Sequence, residues 1–299
     1  MADFIHLHTH SHYSLLDGAA TLKSLIAATV ENKMPSVALT DHGVMFGIVE
    51  FVKAAKKAGI KPIIGCEFYI VTYGSRFDRE IDNKRMKEGK GRGIYQHIVL
   101  LAKNLVGYRN LMKLTTLGHL EGFYYKPRID LELLKKYSEG LVALSACPAG
   151  IVGSELVDGK YDLAVKTAMI YKNIFGPDFY LELQNHGLEN EKPVLESMPR
   201  IAKELGIKLI ATNDIHYIKP EHAIAHNVLL LIPEASSTTT LDYKQLKYNT
   251  DQLYFKSADE MCRLFKDYPE AIASTLEVNE KIESFNILPP EPYLPDYPI

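Results

Sequence analysis

Seven short apolar or β-branched runs, at residues 4–8, 36–40, 62–66, 97–102, 141–145, 179–184 and 208–212, constrain this chain more than any other feature. Most are followed by a polar or glycine-marked turn and then by apolar residues at helical spacing. Thr21 is placed to cap a helix that turns Leu22, Leu25, Ile26 and Val30 inward and ends before Pro35. Residues 47–58 read as a second helix stopped by Gly59; residues 162–175 and 192–205 repeat the pattern, the latter closed by Gly206. Strands alternating with helices predict a parallel α/β sheet. Seven such units without a Gly-x-Gly-x-x-Gly turn favour a seven-stranded barrel over an open sheet of the dinucleotide-binding kind.

A chain of 299 residues has interior enough for one large domain or two small ones. At 46% hydrophobic and 24% charged residues it lies among globular proteins, away from disordered or fibrous compositions. No run reaches the roughly 18 apolar residues of a membrane span, and Met1 to His6 does not read as a signal peptide, so no membrane is expected as a partner. Cys66, Cys147 and Cys262 are too few for a disulfide framework and suit a reducing cytoplasm. A formal charge of −3 confines any nucleic-acid contact to a local basic region. Residues 72–94 offer one: they lack an apolar period, and from Arg76 to Arg92 seven Lys/Arg stand against four Asp/Glu. Arg76, Arg79, Lys126 and Arg128 are candidates for gripping phosphates, with plain surface solvation the competing explanation.

The histidines carry the chemistry. His6, His8, His10 and His12 alternate, and alternation on a strand puts side chains on one face, so a pair two apart can chelate one metal; spacing alone leaves the pair open. Further donors stand at run ends: Asp41-His42, Glu67 after PIIGC, Cys147 after LVALSA, and Asp214-Ile215-His216, with His97 inside YQHIVLLA. The C-terminal strand ends of a barrel surround one mouth, where these residues would converge. Imidazole mixed with carboxylate and thiolate suits Zn²⁺, Mn²⁺ or Fe²⁺ better than Mg²⁺ or Ca²⁺. Nine donors exceed one tetrahedral zinc and match two or three ions sharing bridging carboxylates. Such a centre keeps about two net positive charges, attracts phosphate and activates water near neutral pH. Cys66 precedes Glu67 on a strand and should point into the core, as should Cys262. His119, His222 and His226 carry no motif and are assigned no role.

The run His8-Thr9-His10-Ser11-His12-Tyr13-Ser14 with Leu15-Leu16-Asp17-Gly18, then Thr40-Asp41-His42-Gly43, Ile64-Gly65-Cys66-Glu67, His97, Ser145-Ala146-Cys147 and Asp214-Ile215-His216, resembles the polymerase-and-histidinol-phosphatase (PHP) family. The segments SLLDGAA, GIKPIIG, SRFDR, EGFYYKPRID, LELQNHG and ATNDIHY are similar to the branch found in the alpha subunits of bacterial replicative DNA polymerases. The resemblance implies a distorted (β/α)7 barrel with a site for three metals at the C-terminal ends of its strands. Its ligands would be His8, His10, Asp17, His42, a bridging Glu67, His97, Cys147, Asp214 and His216. Asp17 and Cys147 stand where many family members have histidine. Asp41 and His186 are candidates for touching substrate or orienting a ligand, with turn or structural roles as their rivals.

By the same resemblance, residues 1–285 form the phosphoesterase domain, with 72–94 as an insertion. Residues 286–299, proline-rich, form a linker toward a polymerase palm domain that this chain does not contain. The implied activity is removal of nucleotides from a DNA 3′ end for proofreading, with synthesis left to the full-length parent. The implied partners are a DNA 3′ end, the polymerase's other domains and a proofreading subunit. Two rivals stand beside this: a structural, partner-binding module in which metals only stabilise the barrel, and a small-molecule phosphatase of the histidinol-phosphatase kind.

Overall fold

In the computed structural model, which describes residues 4–79, 95–234 and 245–288, seven strands form one curled sheet. They are β1 (Ser36–Leu39), β2 (Lys61–Val71), β3 (Gln96–Ala102), β4 (Arg128–Asp130), β5 (Leu141–Leu144), β6 (Phe179–Leu183) and β7 (Lys208–Ala211). Their order is β1-β2-β3-β5-β6-β7, with the short β4 on the far end of β2. Helices pack outside, among them Leu22–Glu31, Ile48–Lys57, Leu105–Leu120, Tyr161–Phe175 and Lys192–Leu205.

Three expectations change. The sheet is mixed, because β3 runs antiparallel to both β2 and β5. Antiparallel neighbours need no crossover helix, and the chain places its next helix, Leu105–Leu120, after β3 instead. The first run, at residues 4–8, is not a regular strand; its ordered pairing is a single bridge from Thr9 to Ile215. It nonetheless joins the sheet's two edges: Ala38 N donates to His6 O and Thr40 N to Thr9 O, both at 2.9 Å, while His10 N donates to Ile215 O at 2.7 Å. That segment closes the curl into a distorted barrel. Val30, expected inward, is 48% exposed, because the helix of Leu22–Glu31 buries the face carrying Leu22, Leu25 and Ile26.

Strand alternation divides the core in two. Ile63, Val99, Leu101, Val142, Leu144, Tyr180 and Ile210 fill the barrel, while Ile64, Cys66, Ile98, Leu100, Leu181 and Leu183 pack under the helices. Continued by two-residue steps, the inward face reaches Glu67 on β2, His97 on β3 and Glu182 on β6. The site is therefore the top layer of the barrel's interior. Because β3 is reversed, its N-terminal end is the one at the mouth, so His97 arrives there from the start of its strand rather than from the end. Glu67 likewise sits inside β2 and not past its end, since β2 extends to Val71 to pair with β4.

Candidate metal centre

Four orphaned nitrogens and oxygens meet at the centre of this layer. His8 Nε2 and His10 Nε2 lie 3.3 and 3.1 Å from Glu67 Oε2, and 3.3 and 3.2 Å from Asp214 Oδ1. All are buried, and none of the four has a hydrogen-bond partner. Their tautomers explain why. His8 Nδ1 donates to Glu182 Oε1 at 2.7 Å, and His10 Nδ1 donates to Ser14 Oγ at 3.0 Å. Each ring thereby spends its proton on the outer nitrogen and aims a lone pair inward at carboxylate oxygens. Acceptors facing acceptors at this distance call for positive charge between them, either a metal cation or added protons. The donor set fits a divalent transition metal.

Glu67 is shared. The same Oε2 lies 2.8 Å from His42 Nδ1, while Oε1 lies 2.9 Å from His97 Nδ1, and Cys147 Sγ lies 3.9 Å from that His97 nitrogen. Asp17 forms a third focus, with Oδ2 at 3.1 Å from His42 Nε2 and Oδ1 at 3.5 Å from His216 Nε2. Six of the nine sequence-derived ligand candidates, Asp17, His42, His97, Cys147, Asp214 and His216, line one cavity of about 210 Å³, and His8, His10 and Glu67 are buried against them. Backbone at three points beside these ligands is bent: Asp214 at φ +43°, Ala146, just before Cys147, at φ +63° and Leu16, just before Asp17, at φ +62° all occupy the left-handed region.

The charges respond to crowding. Burial lowers the pKa of His8, but Asp214, Glu182 and Glu67 more than reverse it and hold the imidazole well above its ordinary value. His42, desolvated but faced by Glu67 and Asp17, is pushed up to about 10; His216, desolvated but faced by Asp17 and Asp214, rises to about 9. Burial would raise the carboxyls of Glu67, Asp17 and Asp214, yet the surrounding histidines hold all three below the usual carboxylate range. Without a cation, protons on imidazoles neutralise the cluster.

The residues around the ligands are positioning groups. Asp41 is buried and accepts from Ser11 N at 2.7 Å and Ser14 Oγ at 2.8 Å; Ser14 Oγ in turn receives His10 Nδ1–H and, at 3.1 Å, the His42 amide. Asp41 acts on the site through Ser14. His186 lines the cavity with both ring nitrogens committed, Nδ1 to Glu191 at 2.5 Å and Nε2 to Asn213 O at 3.0 Å. Arg76 binds Asp130 at 2.9 Å and Glu121 at 2.7 Å, and Arg128 donates to the Gly122 and Arg76 carbonyls. Both guanidiniums are buried and serve the fold, not a phosphate. Lys126 lies over the Tyr69 ring, which stacks on His42. The rest of the basic segment, residues 80–94, lies outside the described residues.

Two participants escape motif reading. Glu182 accepts from His8, Ala146 N and Gln184 Nε2 at 2.7–2.9 Å, and from Thr212. A carboxylate inside the apolar strand FYLEL was the available signal. His226 reaches Asp17 Oδ1 at 3.2 Å.

The PHP domain family model matches residues 6–186. Proteins named DNA polymerase III subunit alpha are similar over 99% of this chain: that of Borreliella burgdorferi at 45% identity, Treponema pallidum at 43% and Aquifex aeolicus at 41%. The chain spans 24–26% of the length of these relatives. Among solved structures, an amidohydrolase from Chromobacterium violaceum with bound sulfate and no metal aligns at TM-score 0.45 and 17% identity, over 71% of this chain and 87% of its own. A two-domain protein from Bacteroides vulgatus, described as containing a predicted PHP-like metal-dependent phosphoesterase, aligns at TM-score 0.40 and 16% identity, over 71% and 52%. No helix among the described residues is long and apolar enough to cross a membrane.

Proposed function

Because this chain belongs to the PHP domain family, we propose that it is the PHP portion of a DNA polymerase III alpha subunit and works as a metal-dependent phosphodiesterase that trims DNA 3′ ends in proofreading. The observation that carries the hydrolytic reading is the set of buried, unpartnered atoms of His8, His10, Glu67 and Asp214. Two or three zinc, manganese or iron ions held there would supply Lewis-acid charge and an activated water for attack at phosphorus.

The chain's own contribution is preorganisation. Glu182 and the Asp41–Ser14 pair hold His8 and His10 in the tautomer that offers Nε2 inward. Glu67, within reach of His8, His10, His42 and His97, would be the carboxylate that these ligand sets share. Asp17, His42, His97, Cys147, Asp214 and His216 line the cavity, where a phosphate would enter. Residues 1–285 make up this domain, and residues 286–299, of which 289–299 lie outside the described residues, lead toward the palm. DNA synthesis, contact with the other polymerase domains or a proofreading subunit, and a cytoplasmic location belong to the parent protein in this reading.

The test is release of mononucleotides from end-labelled single-stranded DNA in Mn²⁺ or Zn²⁺. His8→Ala and Asp214→Ala should abolish release while circular dichroism stays unchanged. A folded, metal-loaded wild type that releases nothing, even within the complete alpha subunit, would return the domain to a scaffolding role.

A further inference from the structure

Behind Asp17, which lines the cavity, stands a tenth donor beyond the nine side chains of the motifs. His226 sits on the helix Ala223–Leu231, off the sheet and beyond the residues 6–186 that match the family model. It is buried, and its Nε2 lies 3.2 Å from Asp17 Oδ1. His216 Nε2 lies 3.5 Å from the same oxygen, with the two imidazole rings 5.2 Å apart. One donor atom from each of Asp17, His216 and His226 falls within 4.8 Å of the others. His216 Nδ1–H donates to the Asp214 carbonyl at 2.8 Å, which leaves its Nε2 lone pair toward this focus. Two imidazoles and one carboxylate so placed make the ligand set of a transition-metal site with an open position.

This helix belongs to a cap over the mouth. Asn227 Nδ2 donates to Gln245 O at 3.0 Å, and Lys247 N donates back to Asn227 Oδ1 at 2.7 Å. Tyr248, whose ring centre lies 6.0 Å from that of His226, lines the cavity. Among the described residues, the buried apolar cluster under the cap is small: Tyr217, Ala223 and Leu253. A cap with so small a core depends on its polar ties.

We infer that Asp17, His216 and His226 together hold one divalent transition-metal ion, and that this ion fastens the cap, residues 223–231 and 245–254, to the barrel mouth. The inference rests on the reading of the cavity as a metal centre but not on hydrolysis. Its test is metal content of the whole chain after loading with Zn²⁺ and desalting, for wild type, His226→Ala and His226→Gln, with protease cleavage inside the cap as a second readout. Both variants should keep their circular dichroism, lose one equivalent or hold it at least tenfold more weakly, and lose the protection that metal gives the wild-type cap. Gln still donates a hydrogen bond to Asp17. A His226→Gln chain with full metal content, or a cap protected equally in all three chains, therefore overturns the inference by reducing His226 to a positioning group. Zinc-soaked wild-type crystals read the same point without substitution: an anomalous peak about 2.1 Å from His226 Nε2 is expected, and its absence beside occupied neighbouring sites overturns the inference. A wild type that retains every ion yet cleaves no DNA sinks the hydrolytic reading alone.

Discussion

His8 Nδ1 and Glu182 Oε1 lie 2.7 Å apart, both fully buried, and that bond decides which nitrogen of His8 faces the metal centre. Glu182→Gln keeps the volume but presents an amide whose NH₂ end competes for the His8 ring. Metal affinity should fall about 10–100-fold, the usual cost of losing a partner that orients a ligand. Titration of the metal-free chain with Zn²⁺ against a competing chelator checks this; unchanged affinity would remove Glu182 from the account of the site.

Asp41 organises Ser14 and, through it, His10 and His42. Asp41→Ala should leave the Ser11 amide and the two hydroxyls unpaired, at about 1–3 kcal/mol of stability, and should also weaken metal binding. Ser14→Ala removes the relay while leaving Asp41 bound to Ser11, so it should reproduce the binding defect with a smaller loss of stability. Urea unfolding of the metal-free chains separates the two effects.

In the metal-free chain His42 and His216 have pKa values raised to about 10 and about 9, from an ordinary 6.5. Groups raised on folding contribute stability that is fully present below pH 6.5 and is lost as pH climbs through 9 to 10. The metal-free chain should therefore lose a few kcal/mol across that window, and the loaded chain, whose carboxylates keep their counter-charge, should not. The same protons must leave when metal enters. Calorimetry at neutral pH, in buffers of different ionisation enthalpy, should record proton release, and apparent affinity should rise with pH.

Arg76→Ala should behave as a core lesion. Removing a buried guanidinium strands Asp130, which also caps the following helix through Leu133 N, and costs about 3–5 kcal/mol. Binding of single-stranded DNA by the fraction that remains folded should be unchanged at moderate salt. A stable Arg76→Ala chain with weakened DNA binding would instead restore the phosphate-gripping assignment.

The parts of the fold legible in the chain were those written in local periodicity. Six of the seven apolar runs became strands within a few residues of their expected limits, because a run of buried β-branched residues flanked by turn signals has few other uses. The direction of β3 was not legible, since strand residues look alike whichever way they run. The short β4 was missed for want of length, with Arg128 reading as surface until its guanidinium was seen among carbonyls. The nine ligand candidates came from the family resemblance, carried by motifs of which several stand where an apolar run reaches the mouth. Glu182 stayed hidden because a Glu between two leucines reads as the solvent side of an alternating strand. His226 stayed hidden because AIAHNVLLL reads as a core helix, where a lone histidine is more often packed than ligating.

The bridge from Thr9 to Ile215 sets a timetable for assembly. Its partners stand 206 residues apart, so the ends of the barrel meet only after a loop of nearly the whole domain has been organised. On the ribosome the leading segment, with His8, His10 and Asp17, must wait until Asp214 and His216 are synthesised. Ions captured by His8 and His10 before then find no carboxylate from Asp214 to hold them, so correct loading is a late event that reports on completed folding.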